Sequence, residues 1–87
     1  MTYKIVYVST AEKELNKLTE NDYIKLQKAI NSLSENPFPP GHIKLAGTKE
    51  KLYRIRKGNY RVIYSVQKNI ITITVLKVGH RKDVYRP

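Results

Sequence analysis

Three arginines on two neighbouring segments have the chemistry needed to hold a phosphate group. Arg54 and Arg56 lie in the stretch LYRIR, and Arg61 follows a short turn in NYRVIY. A guanidinium is planar, stays charged and binds phosphate oxygens in pairs. Because side chains alternate along a strand, we expect all three arginines to project from one open face of a sheet. Any one of them alone is more simply a solvated surface charge.

A second cluster of polar side chains follows the last apolar run of the sequence. Gly79 is followed by His80, Arg81 and, four residues later, Tyr85. If this segment folds back over the open face, it would add an imidazole, a guanidinium and a phenol to the arginines. His80 could equally end a strand, and Tyr85 could cover a sheet edge. Lys44 and Lys77 complete the set of residues that we expect to bind RNA.

The residue types argue against a metal or another cofactor. Magnesium takes oxygen ligands, and after residue 36 the only carboxylates are Glu50 and Asp83. There is no cysteine, and His42 and His80 are far apart, so a zinc site is not expected. The remaining possibility is metal-free chemistry on RNA, in which the 2′-hydroxyl of the substrate is the nucleophile. The protein would hold the phosphate, stabilise its charge and move protons, and histidine is the natural proton shuttle.

The charge is concentrated in one part of the chain. The 87 residues carry 17 Lys and Arg against 7 Asp and Glu, a net charge of +10. Residues 1–36 hold five lysines and five acids, so the whole excess lies in residues 37–87. Such a distribution predicts a positive face directed at a polyanion.

The predicted elements form one α+β domain over residues 1–87. YKIVYV (3–8) predicts a strand, Ser9 and Glu12 predict a capped helix to about residue 18, and apolar spacing predicts a second helix over 20–34. Residues 42–50 are expected to form a loop, and 52–56, 60–66 and 70–78 an antiparallel meander. We therefore expect a helical hairpin on one face of a twisted antiparallel sheet of four or five strands.

The segments LYRIRKGNYRVIYSV (52–66) and VLKVGHRKDVYR (75–86) resemble the RelE/ParE superfamily of toxins from toxin–antitoxin pairs. The RelE side of this resemblance implies a ribosome-dependent ribonuclease that cuts mRNA in the A site without a metal. It implies that Arg61 and Arg81 stabilise phosphate charge and that Tyr85 positions the base and the attacking hydroxyl. Arg54 and Arg56 stand where relatives often have lysines, so proton transfer would fall to His80.

Two other functions fit the same sequence. ParE-like relatives inhibit DNA gyrase, and a non-catalytic domain could bind RNA in a salt-sensitive way without cutting it. The resemblance also implies an acidic antitoxin as the protein partner. The chain has no apparent signal peptide, no apolar run long enough to span a membrane and no DNA-reading helix. We therefore expect a cytoplasmic protein that contacts neither membrane nor, by itself, DNA.

Overall fold

The structure, a computed structural model, describes residues 2–47, 49 and 51–80. Over these residues the chain forms one strand, then two helices, then four strands, with a 3₁₀ turn (Lys68–Ile70) between the last two strands. The helices are α1 (Ser9–Asn16) and α2 (Glu20–Ser32). The strands are β1 (Lys4–Tyr7), β2 (Ile43–Lys44), β3 (Leu52–Lys57), β4 (Tyr60–Gln67) and β5 (Thr72–His80).

The five strands form one sheet in the order β1-β5-β4-β3-β2. The pairs β2–β3, β3–β4 and β4–β5 are antiparallel, as the predicted meander requires. The outer pair β1–β5 is parallel, so the predicted α+β fold is confirmed with a sheet that is mixed instead of antiparallel throughout. A tight turn forces an antiparallel direction, but β1 joins the sheet through two helices, and a connection of that length permits a parallel pair.

The core lies between the helices and one face of the sheet. Buried apolar side chains come from both helices, from the C-cap of α2 and from the three central strands: Ala11, Leu15, Leu26, Ile30, Leu33, Ile55, Val62, Tyr64, Ile73, Val75 and Val78. A register irregularity between Ile63 and Tyr64 pairs Ile63 with Lys77 but Tyr64 with Val75. The extra residue on β5 lets Val75 and Val78, three positions apart, lie on the same side, which strict alternation does not allow.

The helix starts differ from the predicted capping box. Helix α1 begins at Ser9 itself, with Val8 at its N-cap and no side-chain hydrogen bond there. Helix α2 does have a polar cap, because the amide of Asp22 donates to Oγ1 of Thr19 at 3.3 Å. Within the described residues, neither helix has the length and apolarity that a membrane span requires.

The connector after α2 is fixed by its own hydrogen bonds. The amide of Phe38 donates to Oδ1 of Asn36 at 3.1 Å, and the Tyr64 hydroxyl donates to the Pro37 carbonyl at 2.6 Å. The predicted loop that follows contains β2, whose two residues pair with Tyr53 and Arg54. This short strand is the fifth strand of the sheet.

Candidate nucleic-acid-binding face

Arg54, Arg56 and Arg61 share the face of the sheet opposite the helices. Arg56 lies directly across from Arg61 in the β3–β4 ladder, and Arg54 lies across from Ile63. Residues that are paired across a ladder point to the same side, and the intervening residues Ile55 and Val62 are buried under the helices. The predicted grouping is therefore present in the fold, and we call these three residues the arginine face.

The three arginines differ sharply in exposure. Arg56 is exposed, but Arg54 is only 6% exposed and Arg61 only 1%. The sequence predicted three projecting side chains, whereas two of them are buried in the fold. A guanidinium is not deprotonated in proteins, and a buried one has little freedom to move. Two positive charges are therefore fixed beside a third that is exposed to solvent.

Lys77 is on the same side of the sheet but is engaged at its edge. It pairs with Ile63 across β4–β5, and its Nζ lies 3.5 Å from Oε2 of Glu14 on α1. The other carboxylate oxygen of Glu14 accepts the backbone N–H of Val78 at 3.1 Å. Glu14 thus caps β5 beyond the end of β1 and offsets the charge of Lys77. The ammonium of Lys77 is therefore less available for RNA than the sequence suggested.

His80 lies on the other face of the sheet. It pairs with Tyr60, two residues beyond the buried Val78, and its ring is edge-on to Tyr60 with centroids 5.8 Å apart. Tyr60 in turn donates its hydroxyl to Oδ2 of Asp22 on α2 at 3.1 Å. The expectation that His80 joins the arginines therefore does not match its position, because side chains alternate along the end of β5 and His80 points to the same side as Val78.

Together these residues line a cleft at the end of the sheet that the sequence did not reveal. The cleft has a volume of about 540 Å³ and lies between α2 and the β3–β4 turn. Its polar lining comes from Asp22, Lys25, Lys57, Asn59, Tyr60 and His80. The sequence predicts only that Asp22 lies in a helix. Its contact with Tyr60, 38 residues later, follows from no spacing rule.

Lys44 also lies away from the arginine face. It pairs with Tyr53, so it points to the helix side, while its neighbour Ile43 pairs with Arg54. Arg81 and Tyr85, both expected in the site, lie outside the described residues. No cluster of three metal-ligating side chains occurs within residues 2–47, 49 and 51–80.

Three tyrosines have raised pKa values. Burial raises the pKa of Tyr64 to about 12, with the nearby Tyr53 adding to the effect. Burial also raises the pKa of Tyr7, and the hydrogen bond to Asp22 raises that of Tyr60. All three phenols are thus neutral near pH 7, where they can donate a hydrogen bond but cannot accept a proton as a base.

The fold and the arginine face together define a class: a small α+β protein with two helices on one face of its sheet and a group of arginines on the other. The sequence profile of the family described as the ParE toxin of the type II toxin–antitoxin system parDE matches residues 5–85. The toxin RelG of Mycobacterium tuberculosis is 32% identical over 90 residues, which cover 99% of each chain.

Solved structures agree with the sequence comparisons. The RelE–RelB complex from Pyrococcus horikoshii OT3 contains a chain that is 36% identical, with a TM-score of 0.81 over 93% of this chain and 97% of that one. The isolated Escherichia coli RelE toxin is 28% identical, with a TM-score of 0.78 over 90% of this chain and 83% of that one. The chain therefore belongs to the RelE/ParE superfamily and is a toxin of a type II toxin–antitoxin system.

Proposed function

We propose that this toxin is a ribosome-dependent endoribonuclease that cuts mRNA in the A site without a metal. The substrate's 2′-hydroxyl attacks the adjacent phosphorus, and the 5′-oxygen of the next nucleotide leaves. The products are a 2′,3′-cyclic phosphate and a 5′-hydroxyl. No covalent intermediate with the protein is needed, so catalysis consists of positioning, charge stabilisation and proton transfer.

The observation that carries the proposal is the pairing of buried and exposed arginines on one face. Arg61 and Arg54 provide fixed positive charge for the phosphate oxygens as the transition state forms. Arg56, which is exposed and lies across from Arg61, receives the incoming RNA backbone. Arg81 and Tyr85 are proposed, from the family resemblance, to complete the phosphate contact and to stack on the base.

The position of His80 changes the proposal for proton transfer. His80 lies beside Tyr60 on the helix side, so we no longer assign it to the reacting phosphate. Arginine is a poor base because its guanidinium stays protonated in proteins. We propose that the arginines lower the cost of forming the 2′-oxyanion and that proton transfer does not depend on His80.

We also propose an acidic antitoxin as the physiological partner. The related Pyrococcus horikoshii toxin was solved as a complex with RelB. In this chain the net charge of +10 favours rapid association with an acidic protein. Antitoxin binding would compete with RNA for the exposed cation of the arginine face.

A translating extract with a defined mRNA tests the nuclease proposal, with cleavage sites mapped by primer extension. Arg56→Ala is expected to reduce cleavage about 10- to 100-fold, which corresponds to the roughly 1.5–3 kcal/mol of one hydrogen bond to a charged phosphate. Lys57→Ala is the matched control: it removes an exposed cation one residue away that points to the other face. Equal activities for the two variants would contradict the arginine site, and Arg81→Ala and Tyr85→Ala test the residues outside the described part.

Gyrase inhibition is the second candidate function, because the matching family profile is that of ParE toxins. A supercoiling assay with the same protein preparation distinguishes the two. Intact mRNA with inhibited gyrase would assign the chain to the ParE branch. Intact mRNA and active gyrase, together with RNA binding that weakens steeply with salt, would leave a non-catalytic RNA-binding protein.

A further inference from the structure

A second basic surface lies on the helix side of the sheet, where the connector after α2 crosses β3 and β4. It is a groove of about 360 Å³, here called the connector groove. Its lining includes two aromatic rings and two lysines: Phe38, Tyr53, Lys51 and Lys68. Tyr53 points to the side opposite Arg54 and Arg56, so the groove is separated from the arginine face by the thickness of the sheet.

The aromatic rings of the groove are held in place. Phe38 is edge-on to Tyr53 with centroids 5.0 Å apart, and the His42 ring lies 5.5 Å from Phe38. The hydroxyl of Tyr64 holds the connector at Pro37, as described above. Closing the end of the core would account for this packing, but it does not account for rings that remain partly exposed. A fixed, partly exposed ring is a surface on which a flat base can stack with little loss of entropy.

The charges around the groove have one sign. The ammonium of Lys68 lies over the Phe38 ring, 5.4 Å from its centre, and Lys51 also lines the groove. Lys44 pairs with Tyr53 and points to the same side of the sheet. None of the described carboxylates lines the groove; Glu50, next to Lys51 in the sequence, lies outside the described residues.

We propose that the connector groove is a second nucleic-acid contact for an unpaired RNA segment. A base stacks on Phe38 and Tyr53, the Lys68 ammonium moves from the Phe38 ring to a phosphate, and Lys51 pairs with another phosphate. Alternating cations and aromatic faces are the means by which proteins hold single strands without reading their sequence. An acidic peptide would use the lysines but would gain little from the rings. The groove also falls within the range of roughly 300–1,000 Å³ that is typical of small-ligand sites.

The first test measures binding of a fluorescein-labelled 12-nucleotide oligouridine by anisotropy, from 50 to 200 mM salt, with the full chain. The double variant Lys51→Gln/Lys68→Gln is expected to bind roughly 70-fold more weakly at 50 mM salt and roughly 10-fold more weakly at 200 mM salt. Its salt slope should fall by about 1.4, since each phosphate contact on a single strand contributes about 0.7. The matched control is Lys13→Gln/Lys28→Gln, which removes the same charge from exposed helix positions. If the two double variants give the same affinity and salt slope, the proposal is wrong.

The second test locates the base without weakening the fold. Oligouridine that carries 5-iodouridine is photocrosslinked to the wild-type chain, and the attached peptide is identified by mass spectrometry. Attachment at Phe38 or Tyr53 is expected, and attachment confined to the arginine face, at residues 54, 56 or 61, would overturn the proposal. A polyglutamate peptide tests the alternative that the groove binds an acidic protein. If the Lys51/Lys68 double variant binds this peptide more weakly but binds RNA as well as wild type does, the groove binds acidic protein and the proposal is wrong.

These tests are independent of the nuclease proposal. The probe is free RNA and no cleavage is scored, so a toxin that inhibits gyrase could still bind RNA in the connector groove. Conversely, loss of cleavage in Arg56→Ala with unchanged crosslinking at Phe38 would separate the two surfaces. The groove and the arginine face can therefore fail or succeed one at a time.

Discussion

Replacing Tyr64 by phenylalanine is predicted to destabilise the fold at pH 7 but not at alkaline pH. The side chain is fully buried, and its hydroxyl donates to the Pro37 carbonyl at 2.6 Å, which anchors the connector to β4. At pH 7 the variant loses this bond and leaves a buried carbonyl without its donor, which costs about 1–2 kcal/mol. For a chain of this length, that corresponds to a fall in Tm of about 5–10 °C.

At alkaline pH the disadvantage should disappear. Burial raises the pKa of Tyr64 to about 12, above its ordinary value of 10.0 in an unfolded chain. A group whose pKa is raised on folding contributes its full stability below the unfolded pKa and loses it as the pH rises through the folded pKa. At pH 11 the wild type should have lost about 1.4 kcal/mol by this route, whereas phenylalanine loses nothing. The two free energies of unfolding are therefore expected to cross near pH 11.

Urea denaturation followed by circular dichroism at intervals between pH 7 and pH 11 measures both free energies. All other titrating groups are common to the two proteins, so the difference between the curves reports on Tyr64. Tyr53→Phe is the control, since the described residues provide no hydrogen bond for that hydroxyl, and it should change stability by less than about 0.5 kcal/mol. Parallel curves for wild type and Tyr64→Phe over the whole pH range would refute the reasoning.

Three further predictions concern the contacts around the two faces. Glu14→Gln is expected to lower the free energy of unfolding by about 1 kcal/mol or less. The ion pair is weak because Lys77 is partly exposed, and the glutamine oxygen can still accept the Val78 amide. Thermal melts at low and high salt measure the effect. Asp22→Asn should lower the pKa of Tyr60 toward 10.0, because the bond to the carboxylate is its main cause, and an ultraviolet titration against wild type measures the shift. His80→Gln should leave mRNA cleavage within about two-fold of wild type, and a loss on the scale of general-acid or general-base removal, about 100-fold or more, would restore His80 to the reacting phosphate.

The arginine face could be predicted from the sequence because it depends only on local alternation. Arg54, Arg56 and Arg61 flank a tight turn, and a turn of fixed length sets the register of the two strands that it joins. The burial of Arg54 and Arg61 could not be predicted in this way. Exposure depends on what covers a face, and charged residues with no acids nearby are, as a rule, solvated.

Positions that depend on irregular structure were predicted less well. In β5 the extra residue, Leu76, breaks the alternation, so residues before it and after it cannot be assigned to faces by counting along the strand. No turn signal in the sequence marks this position. Lys44 lies in a strand of two residues, which is too short to show any periodicity. The direction of β1 is set by packing of the helices, which no pattern within β1 itself records.

The two proposed RNA contacts are coupled through one strand. In β3, Arg54 and Arg56 point to one side, while Tyr53 points to the other side and forms part of the connector groove. Because the side-chain period of a strand is two, a shift of β3 by one residue would turn both arginines toward the core and Tyr53 away from it. An extra residue before Tyr53 would lengthen the preceding loop and leave the register of β3 unchanged. An extra residue between Tyr53 and Arg54 would put these two side chains on the same face. The spacing of these two residues is therefore the feature of the sequence on which both surfaces depend.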